Sequence, residues 1–324
     1  EYGRICEEAA KMMKWMDPTI ECVACGSCSN EIGLDTFPEW DRIVLDHAYE
    51  YVDYLSLHRY YSYDKDVHMA YDNVFCIEDL PYFALDLDHY VDTVLAAADF
   101  IKGKKRLQKK INISFDEWGV QTSCGPNVAI EGEDWSERPQ GDDKRFSNLI
   151  DALIYGMFLI YFLNKSDRIK IACESVVIDG MIAADANGGA FKQSTFYPFQ
   201  QVATYGHGVV LRQNLYSDTV ATKYGGDVPA VQSAAVYNEK DSTVTVFVLN
   251  LDLRNEIEFT TDLRSFGNVK LMEHIQMYDD QPLAVNTFEQ PERIVPVSLP
   301  VDENETSFIL PKHSWHVLRY QVEK

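Results

Sequence analysis

The 324-residue chain carries 46% hydrophobic and 25% charged residues, which places it among folded globular proteins and excludes general disorder. Its length is enough for two domains around a large buried core. A formal net charge of −22 excludes the basic stripe that nucleic acid requires and disfavours anionic membranes and polyanionic substrates, leaving neutral ligands such as unsubstituted sugars.

The chain opens at Glu1, without a methionine and already inside a helical pattern, which predicts further sequence upstream. Ile5, Ala9, Met12, Met13 and Met16 mark one helical face, and Asp17-Pro18 ends it. Ile20 to Ala24 is the first predicted strand, followed by a polar loop rich in Gly and Ser. Here Cys22, Cys25 and Cys28 are spaced like ligands of zinc or of an iron–sulfur cluster. No fourth ligand follows nearby, and free cysteine is an ordinary buried residue. The seven cysteines therefore read as reduced, with no metal and no cofactor, in a cytoplasmic setting.

A helix at Asp41 to Tyr51 leads to a strand at Asp53 to Tyr60. Val91, Val94, Leu95, Ala98 and Ile101 define an amphipathic helix, closed by Gly103 and a Lys/Arg run that complements the negative end of its dipole. A strand at Ile111 to Glu117, a buried helix at Phe146 to Leu163, a strand at Ile169 to Cys173 and a helix at Ser194 to Tyr205 follow. The longest apolar run, Ala152 to Leu163, is too short to span a bilayer, so no membrane partner is expected. Four strands alternating with helices have the spacing of a parallel α/β architecture and amount to half of a (β/α)8 barrel. A doubly wound sheet would show the same alternation, but the glycine fingerprint with which such sheets bind dinucleotides is absent.

Beyond His207 the apolar pattern turns to period two. Strands are predicted at Ser233 to Tyr237, Thr243 to Leu249, Ile257 to Thr261, Val269 to Met277, Ser307 to Leu310 and His316 to Val322, with turns such as Asn238-Glu239-Lys240-Asp241 between them. This reads as an antiparallel β-sandwich. The expected division is a partial barrel over 1–206 and a sandwich over 207–324.

Two barrel strands end in chemistry. Ile113-Ser-Phe-Asp-Glu-Trp118 finishes in a carboxylate beside an aromatic ring, and at the C-terminal rim of a barrel Glu117 would face the active-site mouth. A glycosidase needs such a carboxylate, either as nucleophile or to activate water; a salt-bridged rim residue is the other reading. Asp116 is expected to point the opposite way and to support the strand. His58 and Tyr60 lie two apart and share a face, where they can hydrogen-bond a neighbouring glutamate or simply complete the core. Arg59 and Tyr61 face away. Trp118 can stack on a sugar or pack inside. Neither a Gly-x-Ser-x-Gly elbow nor a His-Glu-x-x-His motif occurs, so serine hydrolases and zinc proteases find no support.

At these residues the chain resembles the C-terminal part of a glycoside hydrolase family 51 α-L-arabinofuranosidase. The matching stretches are Glu1-Tyr-Gly-Arg, Lys11 to Pro18, Val23-Ala-Cys-Gly-Ser27, Thr36-Phe-Pro-Glu-Trp-Asp-Arg42, Val52 to Tyr61, Ile113 to Trp118, Asp167 to Cys173, Tyr197-Pro-Phe-Gln-Gln201 and Leu310 to Val317. The resemblance implies the C-terminal half of a (β/α)8 TIM barrel, strands five to eight, followed by a jelly-roll-like β-sandwich. It implies that Glu117 is the nucleophile of a retaining mechanism and that His58, Tyr60 and Trp118 bind the sugar. The substrates implied are arabinose-containing oligosaccharides of hemicellulose or pectin, cleaved from their non-reducing ends, and the intact protein is expected to be a homo-oligomer.

The family's acid/base glutamate follows an asparagine at the end of strand four, upstream of what is Glu1 here, so the chain alone is predicted inactive. Asn30-Glu31 falls in the loop after strand five and does not replace it. Val176 and Asp179 occupy places where the family offers a sugar-binding glutamine and an asparagine. Endoglucanase or xylanase activity within the same family, or a non-catalytic sugar-binding role, are the alternative readings.

Overall fold

Helix and strand alternate through the first part of the chain: α1 (Tyr2–Met16), β1 (Val23–Cys25), α2 (Glu39–Ala48), β2 (Tyr54–Tyr61), α3 (Leu80–Lys105), β3 (Asn112–Val120), α4 (Leu149–Asn164) and β4 (Ile169–Ala172). These come from a computed structural model, which describes residues 1–30, 36–61, 77–120, 146–185 and 187–323. The four strands pair in parallel in the order β1-β2-β3-β4. Each strand therefore lies beside its successor, as in one arc of a (β/α)8 barrel. Among the described residues no helix is long and apolar enough to cross a membrane.

Burial along β2 alternates strictly. Leu55, Leu57, Arg59 and Tyr61 are enclosed, while Tyr54, Ser56, His58 and Tyr60 are partly open. The enclosed face holds its own polar groups: the Arg59 guanidinium donates to Asp86 Oδ2 on α3 at 2.6 and 3.1 Å, and the Tyr61 hydroxyl donates to the same oxygen at 2.8 Å. A buried charge persists only when paired in this way. Arg59 and Tyr61 thus face away from the rim, as expected.

The third helix is longer than its apolar stripe suggested. It starts at Leu80 with Pro81 in its first turn, and Gly103 lies inside it rather than closing it. Arg106, in the left-handed region at φ 57°, ends the helix instead. At the start of α4, Asn148 and Asp151 exchange reciprocal bonds as a capping box.

Apolar residues cover α4 on all sides because it is packed on two sheets. Phe158 and Phe162 meet Trp118 of β3, and on the other side Gly156 approaches Trp315, where a Cβ would come within 2.7 Å of the indole ring. That close approach requires glycine.

After α4 and β4 the chain makes a hairpin, β5 (Ile182–Ala184) and β6 (Ala190–Lys192), then α5 (Phe196–Tyr205), β7 (Val209–Leu211) and a second hairpin, β8 (Thr219–Thr222) and β9 (Gly226–Pro229). The remaining strands are β10 (Val231–Asn238), β11 (Thr243–Asn250), β12 (Ile257–Thr260), β13 (Val269–Met277), β14 (Val297–Leu299), β15 (Ser307–Leu310) and β16 (Ser314–Val322). Five of them and β7 form an antiparallel sheet, β14-β13-β16-β11-β10-β7, and β12 pairs with β15. Val244, Val246, Val248 and Leu318 pack with Phe308 and Leu310 between these two layers, which makes the sandwich. The opposite face of the large sheet, with Phe247, Leu249, Trp315 and Val317, joins the core around α4. Every residue of β11 is consequently buried. The chain is half of a (β/α)8 barrel followed by an antiparallel β-sandwich.

Candidate active site

The C-terminal ends of the parallel strands present Cys25, then His58 and Tyr60, then Asp116 and Glu117, and just past β4 Glu174 and Ser175. The register between β2 and β3 is regular up to Leu57 opposite Phe115, and resumes with His58 opposite Glu117. Asp116 is the extra residue of a β-bulge. Bulges re-aim side chains beside active sites, and this one has a definite consequence. Phe115 is buried on the helix side, so plain alternation would send Asp116 inward and Glu117 outward. With one residue inserted, Asp116 and Glu117 are both partly open while Phe115 and Trp118 on either side are enclosed.

The expectation that Asp116 points away is therefore corrected. His58 Nε2 lies 3.1 Å from Asp116 Oδ1, and its Nδ1 lies 3.5 Å from Glu117 Oε2. Ser56 donates to Asp116 Oδ1 at 2.6 Å and Ser114 donates to Oδ2 at 3.2 Å, which fixes the carboxylate that faces the imidazole. The structure brings His58, Tyr60 and Glu117 together at one rim.

Tyr60 is tied to a loop the sequence gave no reason to single out. Its hydroxyl lies 2.7 Å from Ser175 Oγ. Burial raises the phenol above its ordinary range, the hydrogen bond with Ser175 counts against that, and the nearby charges of Glu117 and Glu174 push it up again. Next to Ser175, Glu174 accepts a hydrogen bond from the Tyr155 hydroxyl of α4 at 2.9 Å. Burial raises the Glu174 carboxyl, and its bonds to Tyr155 and to the Val176 backbone offset this only in part. Val176, Val177 and Ile178 follow directly and leave apolar surface exposed beside these groups.

Trp118 does not belong to the rim. It is fully buried, 5.1 to 5.3 Å from the rings of Tyr155, Phe158 and Phe162, and stacks on Phe199 of α5. With Glu117 at the mouth, ordinary alternation turns its neighbour toward the helices. The assignment of Trp118 to the sugar site is withdrawn on that ground. The cysteines also differ from expectation: Cys22 is buried, whereas Cys25 and Cys28 are exposed. Burial and then the Asp116 charge raise the Cys25 thiol. Glu31 lies outside the described residues. No group of three or more His, Cys, Asp or Glu that could hold a metal ion occurs among the described residues.

The sequence profile of the α-L-arabinofuranosidase C-terminal domain family matches residues 116–314. The chain is 38% identical over 327 residues to an intracellular exo-α-(1→5)-L-arabinofuranosidase of Acetivibrio thermocellus, covering 98% of this chain and 62% of that protein. It is 36% identical over 332 residues to intracellular exo-α-(1→5)-L-arabinofuranosidase 1 of Bacillus subtilis, with 100% of this chain and 63% of the relative covered. Among solved structures, the family 51 α-L-arabinofuranosidase of Bifidobacterium longum superposes with a TM-score of 0.85 at 29% identity, over 98% of this chain and 63% of that one. The chain thus spans a little over three fifths of the length of these relatives.

Proposed function

This chain belongs to the α-L-arabinofuranosidase C-terminal domain family, and from that premise we propose that it carries the nucleophile half of a retaining exo-α-L-arabinofuranosidase site. The observation that carries this reading is Glu117, on a barrel rim, with the His58 imidazole 3.5 Å from its carboxylate on the neighbouring strand. In the proposed reaction a Glu117 oxygen attacks the anomeric carbon and the glycosidic C–O bond breaks. The leaving alcohol takes a proton from a second carboxyl, and water then hydrolyses the glycosyl ester. His58 and Tyr60 orient the attacking carboxylate. The proton donor, about 5 Å from the nucleophile in a retaining enzyme, is proposed to come from outside these 324 residues. Residues 1–206 would form the catalytic half and 207–324 its support. Arabinose-bearing oligosaccharides, a cytoplasmic setting and a homo-oligomeric intact protein belong to the same proposal.

Release of arabinose from an aryl α-L-arabinofuranoside tests it. If this chain is carried by a longer protein, that longer protein should turn over, Glu117→Gln should abolish turnover with the fold retained, and the chain alone should stay near background. Residual activity of Glu117→Gln above about 1% would refute the nucleophile assignment, since losing a covalent catalyst costs several kcal/mol of barrier. Ordinary turnover by the chain alone would place the proton donor within it, and Glu31 would be the first residue to mutate.

A further inference from the structure

The parallel ladder between β1 and β2 ends irregularly. The Gly26 N–H donates to the Ser56 carbonyl at 3.1 Å, and an evenly spaced ladder would next send the His58 N–H to the Gly26 carbonyl. It goes instead to the Ser27 carbonyl, at 3.3 Å. The backbone of His58 therefore leans on a residue just past the end of β1, whose place the ladder does not set.

Asp41 of α2 sets it. This carboxylate is fully buried and accepts from Ser27 twice, from the backbone N–H into Oδ1 at 2.9 Å and from Oγ into Oδ2 at 2.5 Å. The Tyr90 hydroxyl of α3 donates to the Ser27 carbonyl at 2.5 Å, so the acceptor that His58 uses is itself held. Gly26 leaves no slack, since a Cβ there would lie 2.4 Å from the Ser56 carbonyl oxygen and 2.9 Å from Asp41 Oδ1. We propose that Asp41 is a positioning residue for the reaction, holding His58 against Glu117 through Ser27. The connection runs from the Asp41 carboxylate to Ser27, from the Ser27 carbonyl to the His58 N–H, and from the imidazole to Glu117 Oε2 at 3.5 Å. The inference rests on the reading of Glu117 as nucleophile and adds Asp41 and Ser27 to it.

The experiment is a double-mutant cycle in that longer protein, with turnover of an aryl α-L-arabinofuranoside bearing a good leaving group and denaturant unfolding measured side by side. Ser27→Ala, which deletes one of the two bonds to Asp41, should lower kcat about threefold to tenfold with KM little changed, because a misaligned catalytic group costs rate. Ser27→Thr, which keeps the hydroxyl, should restore most of it. Asp41→Asn keeps an acceptor for the Ser27 N–H and can donate to its Oγ, so it should be milder than Asp41→Ala. Where Asp41→Ala does not fold, Ser27→Ala decides. In a His58→Ala background Ser27→Ala should cost no further kcat, while its cost in unfolding free energy stays the same as in the parent. A Ser27→Ala enzyme with the parent's kcat, a rise in KM in place of the fall in kcat, or an undiminished kcat loss beside His58→Ala would overturn the inference. Glu117→Gln, run alongside, separates the two readings: turnover kept there defeats the nucleophile, whereas turnover lost there with Ser27→Ala unchanged defeats the role of Asp41 alone.

Discussion

His58 Nε2 stands 3.1 Å from Asp116 Oδ1, so the imidazole beside Glu117 is held from behind by the residue that precedes Glu117 in sequence. Asp116 in turn accepts from Ser56 and Ser114. A carboxylate so fixed holds the tilt of the ring in front of it.

Asp116→Asn should therefore lower kcat by about tenfold to a hundredfold while the fold persists, because displacements of about 1 Å at a reacting group cost rates of that order. The carboxamide keeps a single acceptor oxygen for the two serines, which donate to different carboxylate oxygens, and it loses the charge facing Nε2. Steady-state kinetics of the longer protein, with circular dichroism to check the fold, would decide. An Asp116→Asn enzyme with unchanged kcat would make Asp116 a bystander of the bulge.

Trp118→Ala should reduce stability and leave sugar affinity alone. The ring is enclosed by Tyr155, Phe158, Phe162 and Phe199, so its loss opens a large cavity costing about 3–5 kcal/mol. Denaturant unfolding and inhibition by free arabinose separate the two effects. A sugar-binding defect at unchanged stability would return Trp118 to the site.

Acid should weaken the sandwich through two buried histidines. His274 Nε2 and His316 Nδ1 lie 3.0 Å apart, and Ser314 Oγ is 2.8 Å from His316 Nε2. Burial pushes His274 down to about 4, and burial together with His274 holds His316 well below the ordinary imidazole range. The unfolded chain takes up these protons near the usual value of about 6.5, whereas the folded one resists them. Between about pH 6.5 and 4 the unfolded state binds more protons, so stability falls as pH falls, on the order of 3 kcal/mol for His274. Unfolding free energies at pH 7 and pH 4.5, compared between parent and His274→Leu, should show a smaller loss in the variant. Identical pH slopes would exclude the pair as the cause.

The purified 324-residue chain should bind hydrophobic dyes. Trp15 and Met16 of α1 are 79% and 88% exposed, and Ile5, Met12, Met13 and Val23 add apolar surface around the open edge of β1. Dye fluorescence should drop in the longer protein, if a preceding segment covers this face. Equal fluorescence per chain in both would count against such a covering.

Much of this was readable from the residues. The parallel strands followed from apolar runs alternating with helices, and His58 with Tyr60 from a spacing of two on β2. The bulge at Asp116 was not, because periodicity assumes an unbroken strand and one inserted residue reverses the parity of all that follow. Counted from Glu117 at the mouth, that insertion accounts for Asp116, expected outward; Trp118 is turned to the helices by ordinary alternation with Glu117. Ser175 and Glu174 lie past the end of a strand, where no repeat reports direction, and only the three-dimensional approach of Tyr155 and Tyr60 marks them. The strands β7 and β14 and the two small hairpins have three or four residues each, too few to show a period. The enclosed second face of β11 depends on α4, far away in the sequence.

The most direct test of the account is to trap the covalent intermediate. The longer protein would be incubated with a slowly hydrolysed 2-fluoro aryl α-L-arabinofuranoside, digested, and the glycosylated peptide sequenced by mass spectrometry. The account predicts one fluoroarabinosyl ester, on Glu117, absent from Glu117→Gln. An ester on Asp116 or Glu174, or turnover with inversion and no adduct, would contradict it.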